Sequence, residues 1–110
     1  MTVQRYCFTF EIAPGTESEY DRLHREIWPE MAAAIRDAGY RNYSLFRRGT
    51  EVICYCECVP DAATCAERMA ERHAEVRARW NVLMEPFITR MADDDGRLRE
   101  YPLAWHLEDE

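Results

Sequence analysis

An α+β fold, with one antiparallel sheet covered by helices on one face, is the fold class that the sequence predicts. Two-residue and 3.6-residue hydrophobic periodicities follow one another along the chain in the order β, α, β, β, α, β. A glycine turn joins the two middle strands, and 110 residues with 47% hydrophobic positions suit one globular domain spanning residues 1–110. We therefore expect a single core between the sheet and the helices.

The first strand and the first helix are delimited by turn and capping residues. Residues 3–12 alternate β-branched and aromatic side chains, and a Pro-Gly turn ends this strand. Thr16, with Glu19 three residues later, predicts a capping box at the start of a helix. Gly39 closes the helix and Pro29 kinks it. Its core-facing stripe has amphipathic spacing: Ile27, Met31, Ala34, Ile35 and Ala38.

The middle of the chain predicts a hairpin followed by a long helical stretch. Residues 41–48 and 51–59 form two strands around the Gly49-Thr50 turn. Helical sequence then covers residues 61–91, with one interruption near Arg79 and another at a later proline.

The last predicted strand covers residues 101–107, which alternate in polarity. The completed order is the split βαβ arrangement of ferredoxin-like folds. Every strand presents apolar or aromatic side chains on both faces, whereas the helices can cover only one of them. The second face needs another cover, and we expect a homodimer joined through the sheets.

Charge and composition exclude several classes of function. All fourteen basic residues are arginines, against twenty-one acids, and the net charge is -7. Without lysine, Schiff-base and pyridoxal phosphate chemistry is excluded. The acidic balance argues against nucleic acid or a membrane as partner and favours a small neutral molecule. The N-terminus has no long apolar run, and an odd number of five cysteines suits a reducing compartment, so we expect a cytoplasmic protein.

Three cysteines alternate on one predicted strand face. Cys54, Cys56 and Cys58 would stand about 7 Å apart along an extended chain, which is too far to converge readily on one tetrahedral metal ion. We interpret them as packing residues and expect neither a metal ion nor a cofactor.

A chemically useful stripe lies on the first helix, where Tyr20, His24 and Trp28 follow at i, i+4 and i+8. Aromatic faces pack on the C–H face of a pyranose, while phenol and imidazole groups reach its hydroxyls. The alternative is an interfacial stripe in which His24 is merely hydrogen-bonded. Asp21, one turn before His24, either orients the imidazole or remains a solvated acid.

The pattern Tyr-x-x-x-His-x-x-Ile-Trp-Pro-Glu at residues 20–30, with Asn42-Tyr43 further on, resembles the L-rhamnose mutarotase family, and the similarity covers the whole chain. The resemblance implies a dimeric α+β barrel that interconverts the α and β anomers of L-rhamnose without a cofactor. It implies that His24 is the catalytic proton donor and that Tyr20 and Tyr43 bind the sugar.

A further element of the resemblance is a Trp-Trp pair that contacts the sugar from the later helix. Here the matching residues are Arg79 and Trp80, so Trp80 keeps the second position and Arg79 replaces the first. An arginine fork could bond sugar hydroxyls or carry a carboxylate, or it could simply face solvent.

The chemistry of mutarotation suits these residues, because ring opening needs only a proton delivered to the ring oxygen and another removed from the anomeric hydroxyl. An imidazole with a pKa of about 6.5 serves as acid and then as base, with water or a tyrosine hydroxyl as the second proton carrier. Our leading hypothesis is a mutarotase of L-rhamnose or a related deoxy-aldose. The alternatives are another small dimeric α+β barrel enzyme, such as a cyclase or cofactor-free oxygenase, and a non-enzymatic sugar-binding dimer.

Overall fold

A computed structural model describes residues 2–108, and the strands of this part of the chain form one antiparallel sheet. The strands are β1 (Gln4–Ile12), β2 (Tyr40–Arg48), β3 (Glu51–Cys58), β4 (Ile88–Arg90) and β5 (Arg99–Glu100). Their order is β2-β3-β1-β4, and β5 also pairs with β1, on the edge that β4 uses. This order confirms the predicted α+β fold class.

Four helices pack on one face of the sheet. They are α1 (Glu17–Arg25), α2 (Pro29–Ala38), α3 (Ala62–Arg72) and α4 (Ala74–Met84). The core lies between the two layers and is formed by Phe8, Phe10, Ile12, Val52 and Cys54 of the sheet with Tyr20, Met31, Ala34, Ala38, Met69, Val76, Trp80 and Met84 of the helices. None of the helices in residues 2–108 has the length and apolar character needed to cross a membrane.

The cysteines of β3 occupy the inner, helix-facing side of the sheet. Cys54, Cys56 and Cys58 are at most 1% exposed, and Cys54 lies opposite Phe8 of β1. A small thiol facing a large ring keeps the layer filled without overpacking. Each of the five cysteines is a free thiol, and the interpretation of these three as packing residues agrees with their burial.

The first predicted helix is divided into α1 and α2. Pro29 begins α2 and Trp28 precedes it, so the chain breaks where only a kink was expected. Proline suits the first turn of a helix because no intrahelical acceptor awaits its missing N–H. The capping-box prediction was wrong: the Thr16 hydroxyl donates to the Ala13 carbonyl oxygen at 2.6 Å, and Glu19 pairs with Arg22.

The second helical stretch also breaks at a different place from the one predicted. It divides at His73, whereas Arg79 lies inside α4. The His73 imidazole Nε2 contacts Asp37 Oδ2 on α2 at 2.7 Å, a tertiary contact that local sequence does not encode. The helix ends at Met84, and part of the segment predicted as its end forms β4 instead.

The final strand was predicted too far along the chain. Pairing occurs at β5, and the Tyr101 N–H still donates to the Cys7 carbonyl oxygen at 2.8 Å before the chain leaves the sheet. Pro102 follows and has no N–H for a ladder. The apolar side chains that gave the alternation are exposed by 53–72%: Tyr101, Leu103, Trp105 and Leu107.

Candidate active site

Helix α1 places two rings of the candidate site one turn apart. Tyr20 is 3% exposed, and its ring centroid lies 4.3 Å from that of His24. Phe10 of β1 and Phe87 support Tyr20 from two other directions at 6.4 and 6.2 Å. The i, i+4 spacing predicted from the sequence therefore produces a direct contact, on the inner side of the sheet.

From His24 a chain of aromatic contacts continues to α4 and to the start of α2. The His24 ring meets Trp80 at 5.4 Å and 89°, and Trp80 meets Trp28 at 5.2 Å and 85°. Edge-to-face packing of this kind is a favoured arrangement of aromatic rings. Trp28 does not continue the α1 stripe as predicted, because it lies beyond the end of α1 and joins the group through Trp80.

The proton on one ring nitrogen of His24 is fixed by its own helix. Nδ1 lies 2.9 Å from the Tyr20 carbonyl oxygen, which can only accept a hydrogen bond. Nδ1 therefore carries hydrogen and donates it, and Nε2 is the nitrogen that can gain and lose a proton. Burial lowers the pKa of His24 below its ordinary value, against smaller raising effects of the Tyr20 carbonyl and the Asp21 charge.

Asp21 has a role that neither sequence interpretation described. Both of its carboxylate oxygens accept from Arg47 of β2, at 2.8 Å from Nε and 2.6 Å from Nη2. The Arg47 guanidinium holds the pKa of Asp21 below its usual range. This two-point ion pair ties α1 to β2 beside His24, so Asp21 acts on His24 through its charge while the Tyr20 carbonyl fixes the ring.

Tyr43 lies on the inner side of β2, because it shares the parity of Leu45, which is opposite the buried Cys54. The β2–β3 register shifts between Arg41 and Ser44, and Asn42 has a positive φ of 50°. Such a bulge redirects the side chains next to it. The residue is 43% exposed, but burial of its hydroxyl beside the Cys54 thiol raises the pKa of Tyr43. Its ring packs against Tyr40, with centroids 5.6 Å apart.

Cys54 also acts on the pKa of Tyr20, which burial raises well above its ordinary value. The same thiol therefore acts on the pKa of both phenols, although the sequence identified it only as a packing residue. Arg47 was also missed; the available signal was its place two residues after Leu45, on the apolar side of the predicted strand, where a charged residue needs a partner.

Arg79 lies on the outer side of the aromatic group. Its guanidinium carbon is 5.3 Å from the centroid of the Trp28 ring, and Nη2 is 3.1 Å from Glu30 Oε1. A weaker contact joins Nε to Glu75 Oε1 at 3.9 Å. The side chain is 47% exposed, whereas the next residue, Trp80, is 8% exposed.

A cavity elsewhere on the molecule lacks the predicted site residues. A cavity of about 690 Å³ lies between the start of β1 and the segment after β5, lined by residues such as Arg5, Tyr6 and Leu103. None of Tyr20, His24, Tyr43, Arg79 or Trp80 lines it. Within residues 2–108, no three His, Cys, Asp or Glu side chains are grouped closely enough to hold a metal ion. The His24 imidazole itself lies among aromatic rings, next to Tyr20 and Trp80.

Comparison with known sequences points to one protein family. A family model described as L-rhamnose mutarotase matches residues 5–107. A relative named L-rhamnose mutarotase, from Oceanobacillus iheyensis, is 27% identical over 108 residues, which cover 96% of this chain and 100% of that protein.

Two solved structures share the fold. The L-rhamnose mutarotase of Formosa agariphila superposes with a TM-score of 0.68 at 20% identity, over 97% of this chain and 99% of that one. Tetracenomycin F2 cyclase from Streptomyces glaucescens, a type-II polyketide cyclase, gives a TM-score of 0.69 at 15% identity with the same two coverages. At these identities the structures show a common architecture and nothing about the reaction.

Proposed function

Because the chain belongs to the L-rhamnose mutarotase family, we propose that it interconverts the α and β anomers of L-rhamnose, or of a related deoxy-aldose, without a cofactor. Membership of the family makes the chain an isomerase of the mutarotase type. The finer proposal is supported most by His24, because the Tyr20 carbonyl occupies Nδ1 and leaves Nε2 for proton exchange beside Trp80.

In the proposed reaction, protonated His24 donates from Nε2 to the ring oxygen of the sugar as the bond between that oxygen and the anomeric carbon breaks. The anomeric hydroxyl loses its proton as the carbonyl forms, giving the open-chain aldehyde. No C–H bond breaks. Rotation then presents the other face of the aldehyde, and the ring closes by the reverse steps, which return a proton to Nε2.

Tyr20 and Tyr43 are proposed to bind sugar hydroxyls. Burial raises the pKa of both phenols, so each keeps its proton at neutral pH and acts as a hydrogen-bond donor rather than a base. For this reason we assign the second proton transfer to water. Trp80 would offer an indole to the C–H face of the pyranose.

The proposal is tested by saturation-transfer NMR of anomeric exchange across a panel of aldoses. We expect the protein to accelerate exchange of L-rhamnose above the buffer rate. His24→Ala should lose at least about a hundredfold, the usual contribution of a general acid. His73→Ala provides a matched control, because this imidazole pairs with Asp37 outside the site and its loss should leave exchange near the wild-type rate.

The outcomes separate the candidate functions. If no aldose exchanges faster than buffer, or if His24→Ala equals wild type, the assignment is wrong. A sugar-binding dimer would be stabilised by rhamnose without accelerating exchange. A cyclase or oxygenase would instead respond to aromatic ligands in thermal-shift measurements.

A homodimer in the cytoplasm is proposed as the working form. The outer face of the sheet exposes Phe46 by 62% and Ile53 by 39%, and these two residues pair across β2 and β3. A neighbouring copy that covers this face would remove an apolar patch from water.

The free thiols suit a reducing compartment. A neutral monosaccharide as partner suits the acidic net charge of -7 better than nucleic acid or a membrane surface does.

A further inference from the structure

We propose that Arg79 is a positioning residue that holds Trp28 in the wall of the sugar site, and that its charge is committed to Glu30 rather than to the substrate. This inference rests on the proposed function for its kinetic consequences. Its structural part concerns only Trp28, Trp80, Arg79 and Glu30.

Trp28 needs support from outside its own helix. It stands in the short junction between α1 and α2 and has a non-helical ψ of 132°, so Trp28 is not an interior residue of either helix. An indole at such a position gains its orientation from tertiary contacts rather than from regular i, i+4 neighbours. Besides its packing against the core, Trp28 has two such contacts from α4.

Adjacent residues of α4 contact Trp28 in different ways. Trp80, buried, meets the indole edge to face with centroids 5.2 Å apart. Arg79, half-exposed, lies over the ring with its guanidinium carbon 5.3 Å from the centroid. Successive helical residues diverge by about 100°, which lets one contact Trp28 from the core and the other from the solvent side.

Glu30 completes a closed set of contacts. It lies two residues after Trp28, in the first turn of α2, and its Oε1 is 3.1 Å from Arg79 Nη2. The guanidinium is thus held over Trp28 by a carboxylate from the same segment that carries Trp28. Glu75 lies near the other side of the guanidinium, with 3.9 Å between Oε1 and Nε. With two carboxylates around it, this arginine is a poor receptor for the carboxylate of an acidic sugar.

The consequence for activity is specific. Trp80 contacts both Trp28 and His24, so displacement of Trp28 would loosen the wall that binds the sugar. His24 keeps its own hydrogen bond to Tyr20, so its proton transfer should be much less affected. Loss of Arg79 should therefore raise KM and leave kcat nearly unchanged.

The first measurement is spectroscopic and does not depend on any activity. The close indoles of Trp28 and Trp80 should give a coupled circular dichroism band. The Trp28→Phe variant, which removes one of the two indoles, identifies this band as the signal that it lacks. Arg79→Met keeps an alkyl stem but loses the fork, and should weaken this band. Arg79→Lys keeps a cation and should restore part of it, because cation–π attraction survives. Arg77→Met, on the exposed side of the same helix, is the matched control and should preserve it.

The second measurement is kinetic. In anomeric exchange of L-rhamnose, Arg79→Met should raise KM about three- to fivefold with kcat within twofold, and Glu30→Gln should change KM in the same direction. If Arg79→Met and Glu30→Gln both keep the wild-type circular dichroism band and the wild-type KM, the proposal is overturned. So would preferential exchange of a hexuronic acid by the wild type that Arg79→Met abolishes, because Arg79 would then bind the substrate carboxylate. Absence of exchange in the wild type would contradict the proposed function, and the dichroism would still decide the placement of Trp28.

Discussion

His24 combines a fixed hydrogen bond with a lowered pKa. Desolvation disfavours the imidazolium, while the Tyr20 carbonyl and the Asp21 charge favour it to a smaller extent. The residue pattern identified the histidine and its tyrosine neighbour, since both depend on i, i+4 spacing within one helix. It could not identify the partner of Asp21, because Arg47 comes from β2 and only the folded chain brings the two together.

The pH dependence of exchange follows from these groups. In the proposed reaction the donor form of His24 is the imidazolium. Because burial lowers the pKa of His24 below 6.5, kcat should rise as the pH falls below 6.5 and then level off. Asp21→Asn removes a charge that raises this pKa, so the rising limb should move to lower pH. NMR exchange rates at a series of pH values, corrected for the buffer reaction, provide the measurement.

A rate that is constant from acid to neutral pH, or that increases with pH, would contradict His24 as donor. The fold must be monitored by far-UV circular dichroism in the same samples. A buried histidine with a lowered pKa takes up a proton more readily after unfolding, so its contribution to stability is lost as pH falls below about 6.5.

At the scale of elements, local signals predicted most strands and helices but not their ends. Alternation and the Gly49-Thr50 turn predicted β2 and β3 closely, because a hairpin is encoded by neighbouring residues. The break at His73 depends on Asp37 from another helix, and β4 is three residues long. A short edge strand, and a helix break that depends on a residue from another helix, leave little pattern in the local sequence. The prediction therefore missed β4 and put the break at the wrong residue.

Gly39 stands at a junction where the structure leaves no room for a side chain. It ends α2 with a φ of 109°, and an added Cβ would clash with the Val59 carbonyl oxygen. Gly39→Ala should therefore cost about 2–4 kcal/mol of the free energy of unfolding, combining left-handed strain with a backbone clash.

Gly49→Ala is the matched control for this prediction. Gly49 also has a positive φ, 60°, but a Cβ there would meet nothing within 4 Å. Its cost should be about 1 kcal/mol, from the backbone conformation alone. Urea denaturation of both variants gives the comparison, and equal losses would show that the close approach to Val59 does not limit stability.

At the scale of the whole molecule, the sheet divides the apolar residues into a covered and an uncovered face. Helices occupy the inner side, while Phe46 and Ile53 remain exposed on the other. The sequence predicted this division because both parities of the strands are apolar. The sequence did not show that the residues after β5 leave the sheet, because their alternating polarity is also the pattern of a strand.

Phe46→Glu tests the proposed dimer. A carboxylate on the outer face should oppose burial of that face and shift the mass in sedimentation equilibrium towards a monomer, with the secondary structure unchanged. Val82→Glu, at a residue of α4 that is 69% exposed, places the same charge on the helical side and should leave the dimer intact. A monomeric wild type, or a Phe46→Glu protein of unchanged mass, would contradict the dimer.

The central position of β1 also determines when the chain can finish folding during synthesis. β1 is synthesised before its partner strands: Glu11 pairs with Glu51, and Phe8 pairs with both Cys54 and Glu100. Both edges of this strand therefore wait for residues that are made much later, and part of the second edge waits for Arg99 and Glu100. A nascent chain must keep Phe8 and Phe10 unpaired until then, which makes unfinished or prematurely terminated chains the forms most prone to aggregate in the cell.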